Sequence, residues 1–138
     1  MKETAYINEE IIDRILSALA FKRKLLGFGY LREAIVIACS HSDGRAVLSK
    51  EVYPVIAERH SKKGGSVEHA IRNAIGICYY QGSLKSANTV LRANIVDSTY
   101  PPTNGEFIAA VAAFILRLGN SDIEQFLNGL DHFPADKK

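Results

Sequence analysis

The sequence predicts an all-α protein, a compact bundle of about six to seven helices that contains a helix-turn-helix. Apolar residues recur along several segments at the spacing of three and four that gathers them on one face of a helix. Two of these segments are joined by a short turn that contains glycines, as in a helix-turn-helix. The Asp43-Gly44 turn is not flanked by period-two alternation, so a hairpin of strands is not predicted there.

Length and composition indicate one globular domain, expected in the cytoplasm. With 138 residues, 47% of them hydrophobic and 23% charged, the chain is long enough to bury a single core. No apolar run approaches the roughly 18 residues of a membrane span, and the polar start at Met1 does not resemble a signal peptide. Cys39 and Cys78 lie on apolar helix faces, so buried reduced thiols are expected. The alternative, a disulfide between them, is disfavoured in a cytosolic chain.

Positive charge is concentrated in the middle of the chain. Residues 14–92 carry thirteen basic and five acidic side chains, whereas the segments on either side are both net acidic. A basic centre around a helix-turn-helix favours a nucleic-acid partner, although surface lysines are common in any globular protein. The residues available to phosphates are Lys22, Arg23, Lys24, Arg45, Lys50, Arg59, Lys62 and Lys63.

Two helices are predicted ahead of the helix-turn-helix. Asn8 is the expected N-cap of the first, whose buried face consists of Ile11, Ile12, Ile15, Leu16 and Leu19. The basic residues 22–24 then form either a phosphate clamp or a partner for the helix dipole. Residues 27–29, Gly-Phe-Gly, are expected to break the pattern before a second helix over about 30–40. Its inward residues are Leu31, Ala34, Ile35, Ala38 and Cys39, and Arg32 and Glu33 are expected to form structural ion pairs.

The helix-turn-helix is predicted over residues 48–80. Its first helix spans about 50–60, with Ser49 as a possible N-cap and an apolar face of Val52, Tyr53, Ile56 and Ala57. A polar turn over 61–65 leads into a second helix over about 66–80. The buried stripe of this second helix is Val67, Ala70, Ile71, Ala74, Ile75 and Cys78.

The opposite stripe of the second helix is polar and predicts DNA recognition. It consists of Ser66, His69, Arg72, Asn73 and Gly76. Short donors and one arginine on the second helix of such a pair suit a DNA major groove, in which Arg72 could bind guanine or phosphate and Asn73 an adenine edge. An ordinary helical hairpin is the alternative interpretation of the same pattern.

The remaining elements follow in order. Residues 81–83 end the second helix, and a shorter helix over about 84–93 buries Leu84, Ala87, Val90 and Leu91. Pro101 and Pro102 exclude helix from the next loop, and Thr103 with Glu106 predicts a capping box. The helix that follows buries Phe107, Ile108, Val111, Ala112, Ile115 and Leu116, while Phe114 lies on another side, to be covered by an interface or the tail. Ser121 or Asp122 is expected to cap a tail helix with the stripe Ile123, Phe126, Leu127 and Leu130, which packs on its own domain or forms a dimer seam.

Over about residues 7–118 the chain resembles the C-terminal effector domain of stage 0 sporulation protein A, and four sequence segments carry the resemblance. They are GYLREAI at 29–35, VYPVIAERH at 52–60, VEHAIRNAI at 67–75 and PTNGEFIAAVA at 102–112. The resemblance implies an all-helical, DNA-binding transcription regulator of sporulation. It also implies that the last of these helices contributes to self-association, and that the region before it lies near DNA or the transcription machinery. The expected DNA-binding residues are Ser66, Glu68, His69, Arg72, Asn73, Lys62, Lys63, Arg59 and Lys50.

The sequence departs from this family on the recognition helix. Members typically carry Arg where Ser66 and His69 stand and His where Asn73 stands, whereas Glu68 and Arg72 match. Loss of an arginine fork removes roughly 1–3 kcal/mol of base discrimination, so a changed operator is expected. Such regulators place a receiver domain before the effector; a natural stand-alone effector is favoured here over an excised domain. The effector is expected over residues 1–118, with a helical extension and disordered end over 119–138.

No enzyme motif is present. The histidines (His41, His60, His69 and His132) lack H-E-x-x-H or comparable ligand spacing, no serine lies in a nucleophile elbow, and Gly64-Gly65 lacks a phosphate-loop pattern. No catalytic residue, metal, cofactor, membrane or small-molecule substrate is therefore expected. Two hypotheses follow. The first is a sequence-specific regulator that binds double-stranded DNA. The second is an interaction module, with little DNA binding of its own, that pairs with a related regulator or RNA polymerase. A homodimer is compatible with both.

Overall fold

The structure, a computed structural model, describes residues 9–41, 46–81, 83–96, 99–118, 125–126 and 128–129. These residues are helical or irregular and include no strand, so the predicted all-α class is confirmed. None of the helices in this part is long and apolar enough to cross a bilayer. The helices are α1 (Glu9–Ala18), α2 (Leu26–Cys39), α3 (Tyr53–Arg59), α4 (Gly64–Tyr80), α5 (Ala87–Leu91) and α6 (Asn104–Arg117). A π-helical turn (Leu48–Val52) precedes α3, and a 3-10 turn (Ser83–Ser86) precedes α5.

Helix α2 lies at the centre of the bundle and packs against α1, α4 and α6. The predicted apolar stripes face this centre, and nearly all of their members are buried. Among the members that the structure describes, Ala70, Leu116 and Phe126 are half-buried. Full burial of one large aliphatic side chain contributes roughly 1.5–3 kcal/mol. The core therefore fixes which face of each helix points outward.

Helix α2 begins at Leu26, so the break predicted at residues 27–29 is wrong. Both glycines and Phe28 are helical, and Gly27 is buried. A Cβ at Gly27 would overlap the carbonyl oxygen of Ala70 and lie 3.0 Å from the Cβ of Ala74, whereas one at Gly29 would meet nothing closer than 3.8 Å. Glycine is therefore used at position 27 for close approach of α2 to α4, and not to end a helix.

Ser49 does not cap the first helix of the pair, which corrects the sequence prediction. It lies inside the π-helical turn, and Glu51 takes the capping role, because its Oε1 accepts the Val47 N–H at 2.6 Å. This bond, together with His41, lowers the pKa of Glu51. The α-helical part starts at Tyr53, next to Pro54, whose missing N–H is tolerated in a first turn.

Three helices end on a left-handed residue that is not glycine. The C-terminal ends of α1, α3 and α5 show the hydrogen bonds of the Schellman motif. The left-handed residues are Ala20 (φ 71°), Ser61 (φ 55°) and Arg92 (φ 55°). The six-to-one hydrogen bonds of this motif are Phe21 N–H to Leu16 O at 3.0 Å, Lys62 N–H to Ala57 O at 2.8 Å and Ala93 N–H to Asn88 O at 3.1 Å. The chain therefore stops these helices at a backbone cost that glycine would avoid.

The segment between α4 and α6 is only partly as predicted. The expected helix over 84–93 is a 3-10 turn followed by the short α5, but its four apolar residues are buried as predicted. Asn88 organises the loop after α5, since its Oδ1 accepts the amides of Ile95 and Val96, both at 2.9 Å. The capping box is confirmed. Thr103 Oγ1 accepts the Glu106 N–H at 3.0 Å, and Glu106 Oε1 accepts the Thr103 N–H at 2.9 Å.

Part of the tail packs back on the domain. Phe114 is buried, and its ring lies edge-on to Phe126 with centroids 4.8 Å apart. The guanidinium groups of Arg92 and Arg117 each lie 5.9 Å from the same ring. Phe126 of the tail therefore covers Phe114, as one of the two sequence-based alternatives predicted. Several predicted features lie outside the described residues: Asn8, Asp43, Gly44, Arg45, Gly82, Ser121, Asp122, Ile123, Leu127, Leu130 and His132.

Both cysteines are buried free thiols, as predicted. The Cys78 Sγ donates to the Leu19 carbonyl at 3.1 Å, and the Cys39 Sγ lies 4.0 Å from the Ala112 carbonyl. Burial raises the pKa of each thiol to about 12. At neutral pH these thiols are protonated, which makes them packing residues and not nucleophiles.

Two alanine substitutions in α2 test the close contact between α2 and α4. We expect Gly27→Ala to lower the free energy of unfolding by about 1–3 kcal/mol, because the added methyl forces the helices apart. Gly29→Ala is the matched control and should raise it by about 0.5–1 kcal/mol, since helix propensity improves without a clash. Urea denaturation followed by circular dichroism measures both. Equal stability of the two variants would contradict the proposed contact.

Glycine at position 20 tests the left-handed end of α1. Ala20→Gly should raise the free energy of unfolding by about 1 kcal/mol, because it removes the steric cost of a Cβ at positive φ. Ala18→Gly, two residues earlier in regular helix, should instead lower it by about 1 kcal/mol. Thermal unfolding of both variants gives the comparison. A loss of stability in Ala20→Gly would show that the end of α1 does not depend on a left-handed residue.

Candidate nucleic-acid interface

Helices α3 and α4 are joined by a short turn that exposes two lysines. His60 is the C-cap of α3, the left-handed Ser61 reverses the chain, and Lys62 and Lys63 are exposed before α4 begins at Gly64. The second helix therefore starts two residues earlier than predicted, since both glycines belong to its first turn. Its N-terminus has no side-chain cap and no acidic residue in the first turn.

The turn is held against α2 by Glu33. This carboxylate is mostly buried; it accepts from Arg59 Nη1 at 3.0 Å and contacts His60 Nε2 at 2.7 Å. The His60 ring also lies edge-on to Tyr30, with centroids 5.1 Å apart. Arg59, predicted to bind DNA, is thus already engaged in the structure. The predicted structural role of Glu33 is confirmed, as is that of Arg32, which pairs with Asp13 at 3.1 Å.

The polar stripe of α4 faces outward, as the periodicity predicts. Ser66, His69, Arg72 and Asn73 are exposed, and Gly76 is half-buried. The buried stripe on the opposite side anchors the helix to α2 and α3. Four polar side chains are thereby presented side by side over two helical turns. The structure shows their exposure, while their contact with DNA stays a prediction.

Arg72 is paired with Glu68 on this face. The guanidinium Nη2 donates to the Glu68 Oε2 one helical turn earlier, and both side chains are more than a third exposed. An exposed pair at this spacing contributes only about 0.3–0.5 kcal/mol. Arg72 can therefore exchange this carboxylate for another acceptor at little cost. Lys50, Lys62 and Lys63 are exposed and form no ion pair within the described part of the chain.

A groove of about 460 Å³ runs along the C-terminal half of the outward face. Its lining consists of His69, Arg72, Asn73, Gly76, Ile77, Tyr80 and Pro101. Ile77 and Tyr80 were not predicted as surface residues, whereas Pro101 lies in the loop that the family resemblance places near DNA or the transcription machinery. Tyr80, 75% exposed, follows Gly76 by one turn and could have been found by extending the polar stripe. Pro101 comes from the loop before α6, and no local pattern indicates that it lies here.

Metal chemistry has no assembled ligand set among the described residues. Within that part of the chain, no three His, Cys, Asp or Glu side chains come together in a group that could hold a metal ion. His69 is exposed on α4, and His41 lies 3.4 Å from Glu51 beside the π-helical turn. The chemistry that this surface offers is hydrogen bonding and positive charge.

Comparison with known families agrees with this architecture. Residues 12–115, well over half of the chain, match the family described as sporulation initiation factor Spo0A C terminal. The matched region contains α2 to α5, the last seven residues of α1 and all but the last two residues of α6, and it lies within residues 7–118, the range of the sequence resemblance. That resemblance is confirmed. The chain belongs to the Spo0A C-terminal family, whose members are DNA-binding effector domains of sporulation regulators.

Proposed function

We propose that this chain is a sequence-specific transcriptional regulator that binds double-stranded DNA with α4 in the major groove. The observation that carries the proposal is the exposed polar face of α4, formed by Ser66, His69, Arg72 and Asn73 and placed directly after a turn with two exposed lysines. A helix of this kind, supported by a preceding helix, fits the width of a B-DNA major groove.

The residues around the turn are suited to the DNA backbone. Lys62 and Lys63 precede the N-terminus of α4, where free amide groups and the helix dipole favour an anion. Lys50, exposed on the π-helical turn, adds a third positive charge. These contacts fix the position of the protein without distinguishing sequences. Arg59 contributes positive charge near the turn, but its hydrogen bond to Glu33 indicates that its main role is to stabilise the turn.

The residues further along α4 are suited to base edges. Arg72 can leave Glu68 and donate two hydrogen bonds to guanine, and Asn73 can pair its amide with adenine. The Glu68 carboxylate, on the same turn, can accept from the amino group of cytosine. Ser66 and His69 are shorter or less versatile donors than arginine. The preferred duplex should therefore depend on fewer base pairs than arginine at both positions would allow.

A second candidate function is supported by the groove beside α4. Ile77, Tyr80 and Pro101 give its walls an apolar character that DNA recognition does not require. In this alternative the chain is an interaction module that pairs with a related regulator or with RNA polymerase and binds DNA weakly. Such pairing would need no exchange of the Glu68–Arg72 ion pair. We place it second because it leaves the exposed lysines of the turn unexplained.

Fluorescence anisotropy with a randomised duplex pool and scrambled controls, over a salt series, tests the proposed function. Selective binding with a steep salt dependence is expected, and Lys62→Ala/Lys63→Ala should reduce the log-log slope by about 2. The Lys22→Ala/Lys24→Ala variant removes the same charge from the loop between α1 and α2. An unchanged slope in Lys62→Ala/Lys63→Ala would locate the phosphate contacts away from the turn, whatever the slope of the second variant. Unselective binding by folded protein would favour the interaction module.

Two substitutions of Arg72 separate base recognition from phosphate binding. Arg72→Ala should weaken binding to the selected duplex by about 1–3 kcal/mol, because a bidentate contact is lost. It should also flatten the sequence preference at one base pair. Arg72→Lys keeps the charge but lacks the planar fork, so the preference should remain flattened. Competition with duplexes substituted base by base gives the profile. If the lysine variant restores both affinity and preference, Arg72 contacts a phosphate.

A further inference from the structure

Asn104, the first residue of α6, is buried at 8% exposure, and among the described residues it is the only buried side chain that carries an amide or a charge. Burying an amide is unfavourable unless it is hydrogen-bonded, and its presence in an otherwise apolar core therefore requires a reason. The adjacent capping box already accounts for Thr103 and Glu106. It does not account for Asn104.

The amide of Asn104 joins three helices at one point. Its Nδ2 donates to the Tyr53 hydroxyl at 3.0 Å and to the backbone carbonyl of Glu68 at 3.1 Å. A carbonyl only accepts, so the nitrogen and not the oxygen of the amide must face Glu68. The amide oxygen has no hydrogen-bond partner within the described residues. Both links, to α3 and to α4, thus depend on one NH₂ group.

The carbonyl that Asn104 binds belongs to Glu68, whose side chain pairs with Arg72 on the exposed face. In an α-helix the carbonyl of residue 68 also accepts the amide of residue 72, so this bond falls on the turn that connects Glu68 with Arg72. Tyr53 is coupled to the same turn. Burial raises the pKa of its hydroxyl, and the charges of Glu68 and Arg72 act on that pKa in opposite directions.

We infer that Asn104 is a positioning residue for DNA recognition, which holds the Glu68–Arg72 turn of α4 at a fixed depth relative to α3 and α6. This inference rests on the proposed function and adds a residue that does not itself reach the DNA surface. Because the lysines of the turn lie outside this link, its loss should affect discrimination between duplexes more than total affinity. Asn104 thereby determines specificity from inside the core.

The experiment compares Asn104→Ala and Asn104→Asp with Thr103→Ala. Asn104→Asp keeps the size of the side chain but replaces the donor with an acceptor, so it also loses the bond to the Glu68 carbonyl. Thr103→Ala is the matched control, since it weakens the same end of α6 through a side chain bonded only within that helix. Hydrogen exchange at the Arg72 amide and the ratio of affinities for selected and scrambled duplexes are measured for each, alongside thermal unfolding.

Both Asn104 variants should speed local exchange at Arg72 and reduce the affinity ratio by roughly threefold to tenfold, the range that one hydrogen bond supplies. Thr103→Ala should change neither, even where its thermal stability falls equally. Unchanged exchange at Arg72 would overturn the inference and leave the proposed function standing. Faster exchange with an unchanged affinity ratio would reduce Asn104 to a structural role. If the native chain shows no selective binding, the proposed function fails, and the role in recognition fails with it.

Discussion

The packing of α4 on α2 is the contact on which the rest of the structure depends. Helix α4 buries one stripe, from Val67 to Cys78, and leaves the opposite stripe exposed. Its packing on α2 therefore decides which side chains are exposed to a partner. Gly27 permits this packing because, without a Cβ, it lets the α2 backbone lie against the Ala70 carbonyl. A side chain at that point would push α4 away from α2.

Polar contacts then fix the position of the α3–α4 pair at both ends of α3 and near the start of α4. Glu33 binds Arg59 and His60 where α3 stops, and Asn104 binds Tyr53 where α3 begins and the Glu68 carbonyl of α4. Core packing sets the rotation of a helix well, but sliding along its axis changes buried area little. Directional hydrogen bonds restrict that sliding, because they weaken steeply with distance and angle. The apolar and polar contacts therefore control different motions of the same helix.

The outward face, by contrast, is held loosely. The Glu68–Arg72 pair is exposed and weak, and Lys62 and Lys63 have no ion-pair partner within the described ranges. A rigid frame with exchangeable surface groups is suited to binding a charged polymer, because few internal bonds must break when the partner arrives. Substitution of Ser66, His69 and Asn73 can thus change the preferred partner without altering the frame.

Sequence alone determined most of the helices and their buried faces, the capping box and the outward stripe of α4, because amphipathic spacing and local hydrogen bonds depend only on nearby residues. It misplaced the start of α2, the cap before α3 and the extent of α5. Only the tertiary structure decided the uses of Gly27, Ala20 and Asn104. Glycine usually ends a helix and asparagine usually caps one or forms a turn, so the local rules place a break at Gly27 and no left-handed residue at Ala20. The use of Gly27 depends on the Ala70 carbonyl, and the left-handed conformation of Ala20 accompanies the burial of Phe21, the residue that follows. The Asn104 link spans 36 residues along the chain, and no local pattern specifies which distant carbonyl a buried amide will meet.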